Sequence, residues 1–352
     1  MNWCLYVVLL LCLCGIRPCI RVSNKEYISK DAIQPVKGLF ILLVFLSHFR
    51  GYIPRDLSVD GVYTSVQAFL GQMIVVPFLF YSGYGVSESL RLKGWDYLVR
   101  FPVHRVLNVV FQFAIAVLIY IAYRSAFMGA QFPLKRMLLC LVGWNSAGNS
   151  NWYIFSIVIM YLLTWVAHWA FGHKTEQTTW MPNFVLTGMA LVLIDILSYC
   201  RPDYVYNTLF AYVAGCWYSQ FRCQFEGIFE DLKAVIVAVW ALIVGYCMVR
   251  LEWKSTFICE TASVLFALIT VLITMRIRFR NPFLSYCGSH LFSLYVLQRL
   301  PMLALQKTAL AQNRWAYCVS CLAITLVISW IFDPTIPRLW RGLLSLCRLW
   351  RS

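Results

Sequence analysis

The chain has 352 residues, of which 61% are hydrophobic and only 13% charged, against about 25% charged in an ordinary soluble domain. That balance excludes a separate soluble enzyme domain, because at roughly 20 apolar residues per span the length is used up by about ten membrane helices and short loops. The 30 basic residues outnumber the 15 acidic ones, for a net charge of +15, which in a membrane chain points to basic cytoplasmic loops and lipid contact, not to nucleic acid.

The first apolar run, Trp3–Cys14, is shorter than a bilayer span and is followed by Arg17 and Pro18. It reads as a signal-like or extra segment that a basic linker joins, over residues 1–32, to the main domain. Apolar runs then recur near 36–53, 68–86, 106–123, 152–171, 183–199, 204–219, 234–249, 257–275, 284–306 and 316–336. The expected fold is therefore all-α, a polytopic bundle of about ten spans over residues 33–336, with 337–352 as a basic cytoplasmic tail. Leu134–Gly143 is short and is placed in an external loop as an interfacial piece. Val76-Pro77, Gly83-Tyr84-Gly85 and Leu300-Pro301 mark expected kinks, tolerated where neighbouring helices satisfy the freed backbone groups.

The basic residues test this map. Loops at 17–37, 91–105, 174, 222–233, 276–280 and 338–351 hold nineteen of the 30, and those at 50–55, 124–136, 201, 250–254 and 307–314 hold ten, with Arg299 left inside a span. By the positive-inside rule both ends of the ten-span core are cytoplasmic. No internal repeat suggests the paired halves of many transporters. Most of the 14 cysteines sit within apolar runs and read as buried thiols, Cys318 and Cys321 included; no metal site is expected.

Ionisable groups inside spans are costly and mark candidate sites. Lys37 and His48 lie eleven residues apart in the first long span, which returns them to one helix face within roughly 20°, stacked about 16 Å apart. Asp195, Glu260, His290 and Arg299 are further intramembrane groups, with Glu260 and Arg299 a possible pair, and Asp333 before Pro334 marks a helix end.

Lys37 through His48, then Pro77-Phe78-Leu79-Phe80-Tyr81-Ser82-Gly83-Tyr84, then Trp152-Tyr153, then the segment Ser289–Gln298 together resemble the acyltransferase-3 family of integral membrane O-acyltransferases, in the family's order, over about residues 33–335. The family's first span opens with a basic residue, usually Arg where Lys37 stands, followed by His. Its third span often opens with R-x-x-R, whereas Arg105 here is followed by Asn108. Its late segment commonly carries His where Gln298 stands.

The resemblance implies transfer of an acyl group, usually acetyl from acetyl-CoA, to a hydroxyl of a cell-surface glycan or lipid-linked sugar in the bacterial cytoplasmic membrane. No cofactor is expected to stay bound; the acyl-CoA is a substrate. It implies a base for the hydroxyl, for which His48 is the choice because imidazole titrates near neutrality, and positive groups for the CoA phosphates, for which Lys37, Arg100 and Arg105 stand at cytoplasmic ends. Ser82, Tyr84, Tyr295 and Gln298 are supporting polar groups. Trp152 and Tyr153 are either plain interfacial aromatics, the simpler reading, or a stacking surface for a sugar. A transporter or flippase-like carrier and a catalytically degenerate family member are the alternatives.

Overall fold

Side chains apolar on every face, with almost no amphipathic stripe, give α-helices that bury as readily in lipid as in protein. The computed structural model describes residues 1–19, 24–54, 57–171, 180–251 and 255–346. These form α1 (Asn2–Leu13), α2 (Lys30–Phe49), α3 (Leu57–Leu70), α4 (Val76–Phe101), α5 (Asn108–Met128), α6 (Leu134–Leu141), α7 (Trp152–Phe171), α8 (Met181–Cys200), α9 (Phe210–Ile228), α10 (Leu232–Leu251), α11 (Thr256–Arg276), α12 (Pro282–Ser289), α13 (Leu291–Leu297), α14 (Arg299–Leu305) and α15 (Arg314–Leu346). The sheet found among the described residues is a ribbon of β1 (Ile16–Pro18) antiparallel to β2 (Ile277–Phe279). The chain is thus a helical membrane bundle.

Among the described residues, seven stretches are long and apolar enough to cross a bilayer. One of them, Asp60–Met128, has 69 residues and holds two of the ten expected runs. The run at 204–219 became α9, and the run at 284–306 is no single helix but α12, α13 and α14 in succession. Pro301 accounts for the second of these breaks, since its ring leaves the Leu297 carbonyl four residues back without a donor. α6 has 8 residues and so a length of about 12 Å, far less than a bilayer crossing. Arg21, Arg55, Lys174, Lys254, Arg348 and Arg351, which entered the charge map, lie outside the described residues.

The Trp3–Cys14 run lies in α1, which is docked: the Leu11 carbonyl accepts from Asn281 Nδ2 at 2.7 Å, Asn2 Oδ1 accepts from the Tyr63 N–H at 2.8 Å, and β1 continues it into a ladder with β2. Its first polar residue and the strand after it, both outside the apolar count, supply those anchors. From 337 the chain continues in α15 as far as Leu346, with Pro334 and Pro337 inside the helix and the Trp340 ring packed 5.0 Å from Phe111 on α5; residues 347–352 lie outside the described ones. Val76-Pro77 is no kink, because Pro77 falls in the first turn of α4, where its missing N–H costs nothing. α4 breaks instead at Gly94, with φ +59°.

The described residues divide into two compact units. The first comprises Met1–Leu43, Asp56–Phe101 and Ile159–Ser289. Its centre is the α4 and α9 pair, joined where glycines let backbones touch. A Cβ on Gly83 would stand 2.1 Å from the Tyr212 carbonyl oxygen, and one on Gly215 would stand 2.1 Å from that of Phe80. α2 and α12 meet in the same way, through Gly38 against the Leu284 carbonyl and Gly288 against that of Gln34. Gly83 is therefore a helix-contact residue, and Gly85 beside it faces open space. Gly38→Ala is expected to destabilise the protein by more than about 3 kcal/mol, because the obstacle is backbone and cannot swing away. Thermal unfolding in detergent checks this, with Gly85→Ala expected to leave the transition unchanged.

The second unit comprises Val44–Arg55, Pro102–Val158 and His290–Ser352. α15 is its axis, packed by α5, α13 and α14. The Tyr317 ring lies 4.8 Å from Phe49, and its hydroxyl donates to the Met302 carbonyl at 2.6 Å. Cys318 and Cys321 are buried in this packing.

Candidate active site

α2 runs unbroken from Lys30 to Phe49, so Lys37 and His48 occupy one continuous helix, as their spacing predicts. His48 belongs to the second unit and is half-buried there. Its ring is 6.1 Å from that of Tyr295 on α13, and the Tyr295 ring is 5.2 Å from that of Tyr153 on α7. Tyr295 is 2% exposed and Tyr153 9%. Tyr153 thus packs on the ring that neighbours His48; Trp152 is half-buried next to it, its ring 6.2 Å away. The first turn of α7 carries both, and only Tyr153 points inward.

Ser150 is the neighbour that sequence reasoning missed. Its hydroxyl lies 3.3 Å from His48 Nε2 and 3.4 Å from Nδ1. An oxygen almost equidistant from both nitrogens lies along the hydrogen-bonding direction of neither, and both contacts are longer than a well-formed bond. A small rotation of the ring would select one. The polar stretch Asn145–Asn151 was visible, but the loop that aims Ser150 depends on closure. Ser146 Oγ donates to the Asn149 carbonyl at 2.7 Å, the Ala147 N–H donates to Asn149 Oδ1 at 3.0 Å, and Gly148 turns the chain at φ +109°. Arg124 on α5 donates to the Ala147 carbonyl at 3.1 Å, and Asn151 Nδ2 donates to that of Gly143 at 2.7 Å.

Six polar side-chain atoms in this unit are buried without a hydrogen bond among the described residues, Tyr295 Oη and Gln298 Oε1 among them. Gln298 is 1% exposed, and its amide nitrogen donates to the Tyr295 carbonyl at 3.1 Å. Such orphans call for a partner; Tyr295 Oη belongs to the ring beside His48, and Gln298 directly follows α13. Arg299, at the start of α14, donates from Nε to the Tyr52 hydroxyl at 3.1 Å. Glu260, its expected partner, is engaged elsewhere: in the first unit it accepts from the Leu209 and Phe210 N–H groups at 3.0 and 2.9 Å. That carboxylate satisfies the start of α9, where orphan donors and the helix dipole favour an anion. Asp333 lies within α15 and not at its end; it pairs with His290 Nδ1 and accepts from Ser293 Oγ at 2.9 Å. Asp195 sits in α8 near its C-terminal end.

The remaining expected residues divide between the units. In the first, the Lys37 ammonium lies 5.9 Å from the centre of the Tyr81 ring, a cation–π distance. Ser82 Oγ bonds the Tyr161 hydroxyl at 2.6 Å, and the Tyr84 hydroxyl accepts from Arg222 Nη1 at 3.0 Å, so both of these motif residues tie α4 to neighbouring helices. Arg100 is exposed in the last turn of α4. Arg105 belongs to the second unit and is half-buried in a π-helical turn, Pro102–Leu107, at the entrance to α5. Such turns concentrate at functional sites.

The helical membrane bundle thus holds a histidine on its first long span, with Ser150 and Tyr295 beside it. The model of the acyltransferase-3 family, described as an acyltransferase domain, matches residues 31–333, and the chain belongs to this family of membrane acyltransferases. No curated protein and no solved structure matches it.

Proposed function

We propose that the protein takes an acetyl group from acetyl-CoA on the cytoplasmic side of the bacterial cell membrane and transfers it to a hydroxyl of a cell-surface glycan or lipid-linked sugar. The observation that carries this reading is His48, a titratable ring on a membrane span with Ser150, Tyr153 and Tyr295 around it. Family membership supports an acyltransferase over a carrier.

In the proposed reaction one nitrogen of the neutral His48 ring takes the proton of the acceptor hydroxyl as that oxygen forms a bond to the thioester carbon. The carbonyl electron pair moves onto oxygen, where the Tyr295 hydroxyl is the proposed donor to the developing charge. Collapse of this intermediate breaks the carbon–sulfur bond, the pair leaves with sulfur, and the imidazolium returns its proton to give the CoA thiol and an ester. Ser150 steers the ring between its two nitrogens. Tyr153 and Trp152 offer aromatic faces to a sugar, and Gln298 Oε1 accepts from a substrate hydroxyl. Lys37, with Arg100 or Arg105, holds donor phosphates; both kinds of side chain suit phosphate, Arg as a fork and Lys as a point charge.

Mass spectrometry of surface glycans from cells with and without the gene tests this reading. One class of sugar is expected to lose the mass of an acetyl ester when the gene is removed and to regain it on complementation. An unchanged ester content of all surface glycans would contradict it.

A further inference from the structure

The first unit contains a cavity of about 510 Å³, lined by residues outside the motifs that the family resemblance uses. It opens at the loops assigned to the cytoplasm by the charge map. Its walls are the approach to α2 and that helix's first turn (Asn24, Glu26, Ser29, Asp31) and the β2 ribbon leading into α12 (Arg278, Arg280, Asn281, Ser285). The volume lies within the range of small-molecule sites.

Its chemistry is specific. Arg278 is held in place, because its Nε donates to Asn24 Oδ1 at 2.8 Å, and Asn24 is itself 3% exposed and fixed by its N–H to the Met275 carbonyl at 2.9 Å. That leaves the terminal nitrogens of the guanidinium without a hydrogen bond among the described residues. Arg280 is exposed, and its side chain has no hydrogen bond or ion pair among them either. The ribbon also sets Arg17 directly opposite Arg278, a like-charged cross-strand pair that destabilises a ladder unless an anion lies nearby. Two helices begin on the cavity: the Ala32 N–H donates to Ser29 Oγ at 3.3 Å at the start of α2, and the Phe283 and Leu284 N–H groups donate to Asn281 Oδ1 at 3.0 and 3.1 Å at the start of α12. Their dipoles add positive potential. Glu26 and Asp31 stand among these positive groups, without an ion pair among the described residues. A nucleotide meets both kinds of group, its ribose hydroxyls and adenine amine donating to the carboxylates while its phosphates meet the guanidiniums.

We propose that this cavity receives the phosphate-bearing nucleotide end of the acyl-CoA donor, with Arg278 and Arg280 as its phosphate contacts. The proposal rests on the acyl-CoA reading above and gives the donor a docking point in addition to Lys37, which lies in the same unit, seven residues into α2 from Lys30, or about 10 Å along the helix.

The experiment uses the full chain in phosphatidylcholine nanodiscs, titrated by calorimetry with coenzyme A, with adenosine 3′,5′-bisphosphate and with S-acetylpantetheine, which lacks the nucleotide. The wild type is expected to bind the first two. Arg280→Ala is expected to weaken both by about tenfold, the loss of one charged hydrogen bond, and R278A/R280A by more, with S-acetylpantetheine unaffected. Arg280 is exposed, so its single variant keeps the fold, and an unchanged thermal transition verifies this. If R278A/R280A binds coenzyme A as tightly as the wild type does, the nucleotide docks elsewhere: the proposal is overturned and the acyl-CoA reading stands. If the wild type binds neither coenzyme A nor the bisphosphate, the acyl-CoA reading itself fails and takes the proposal with it. If the two arginines change retention of phosphatidylglycerol while coenzyme A affinity stays constant, the cavity is a lipid headgroup site and the proposal is likewise overturned.

Discussion

His48→Ala is expected to abolish acyl transfer while the chain remains inserted and folded. A general base contributes about 10²–10⁴-fold to such a reaction, and the side chains beside the ring are the Tyr295 phenol and the Ser150 hydroxyl. The loss in packing is smaller, since His48 is only half-buried and its contacts with Ser150 are long. Transfer measured in membranes, normalised to protein abundance, gives the effect of the chemistry. His48→Gln separates the two contributions: it keeps a polar side chain of similar reach but cannot carry the proton, so it is expected to be as inactive as the alanine variant. Activity within a few-fold of wild type in either variant would remove His48 as the base.

Lys37→Ala is expected to raise the apparent KM for the donor by about tenfold or more, the worth of a charged hydrogen bond to phosphate, with kcat largely kept. Binding that is lost equally from ground and transition states appears in KM alone. Because the ammonium also lies over the Tyr81 ring, the alanine variant loses a structural contact as well, and Lys37→Arg distinguishes the two. Arginine restores both the charge and the aromatic contact, so it is expected to restore donor affinity. Tyr81→Leu, which removes only the ring, is expected to leave the donor KM near wild type. If Lys37→Ala leaves that KM unchanged, the lysine is a helix anchor and donor phosphates are held by other groups.

The helical bundle was legible because membrane spans are written in composition, and the pairing of Lys37 with His48 on one helix because periodicity fixes what an unbroken helix presents. Features that depend on partners were not. Gly83 reads equally as a catalytic hinge or a helix contact until α9 is seen with Gly215 beside it. Tyr153 read as a belt residue or a stacking surface, and its contact with Tyr295, far away in the chain, is not written in its own segment. Ser150 was hidden in a polar run whose turn is set by Gly148 and Arg124. The segment 284–306 has the hydropathy of one span, yet Pro301 and the non-helical backbone at His290 divide it into three helices. Glu260 and Arg299 carry opposite charges in neighbouring runs, and only the structure reveals that the start of α9 takes the carboxylate.

The most direct test of the account is transfer by the purified protein itself. The chain, reconstituted in vesicles with acetyl-CoA carrying a radiolabelled acetyl group and an extract of surface glycans and lipid-linked sugars as acceptor, is predicted to move label into the carbohydrate fraction and to release free CoA thiol in equal amount. His48→Gln is predicted to do neither. Label that stays on CoA with the wild-type chain, or transfer that persists undiminished in the His48→Gln chain, would contradict the claim that this bundle is an acyltransferase working through His48.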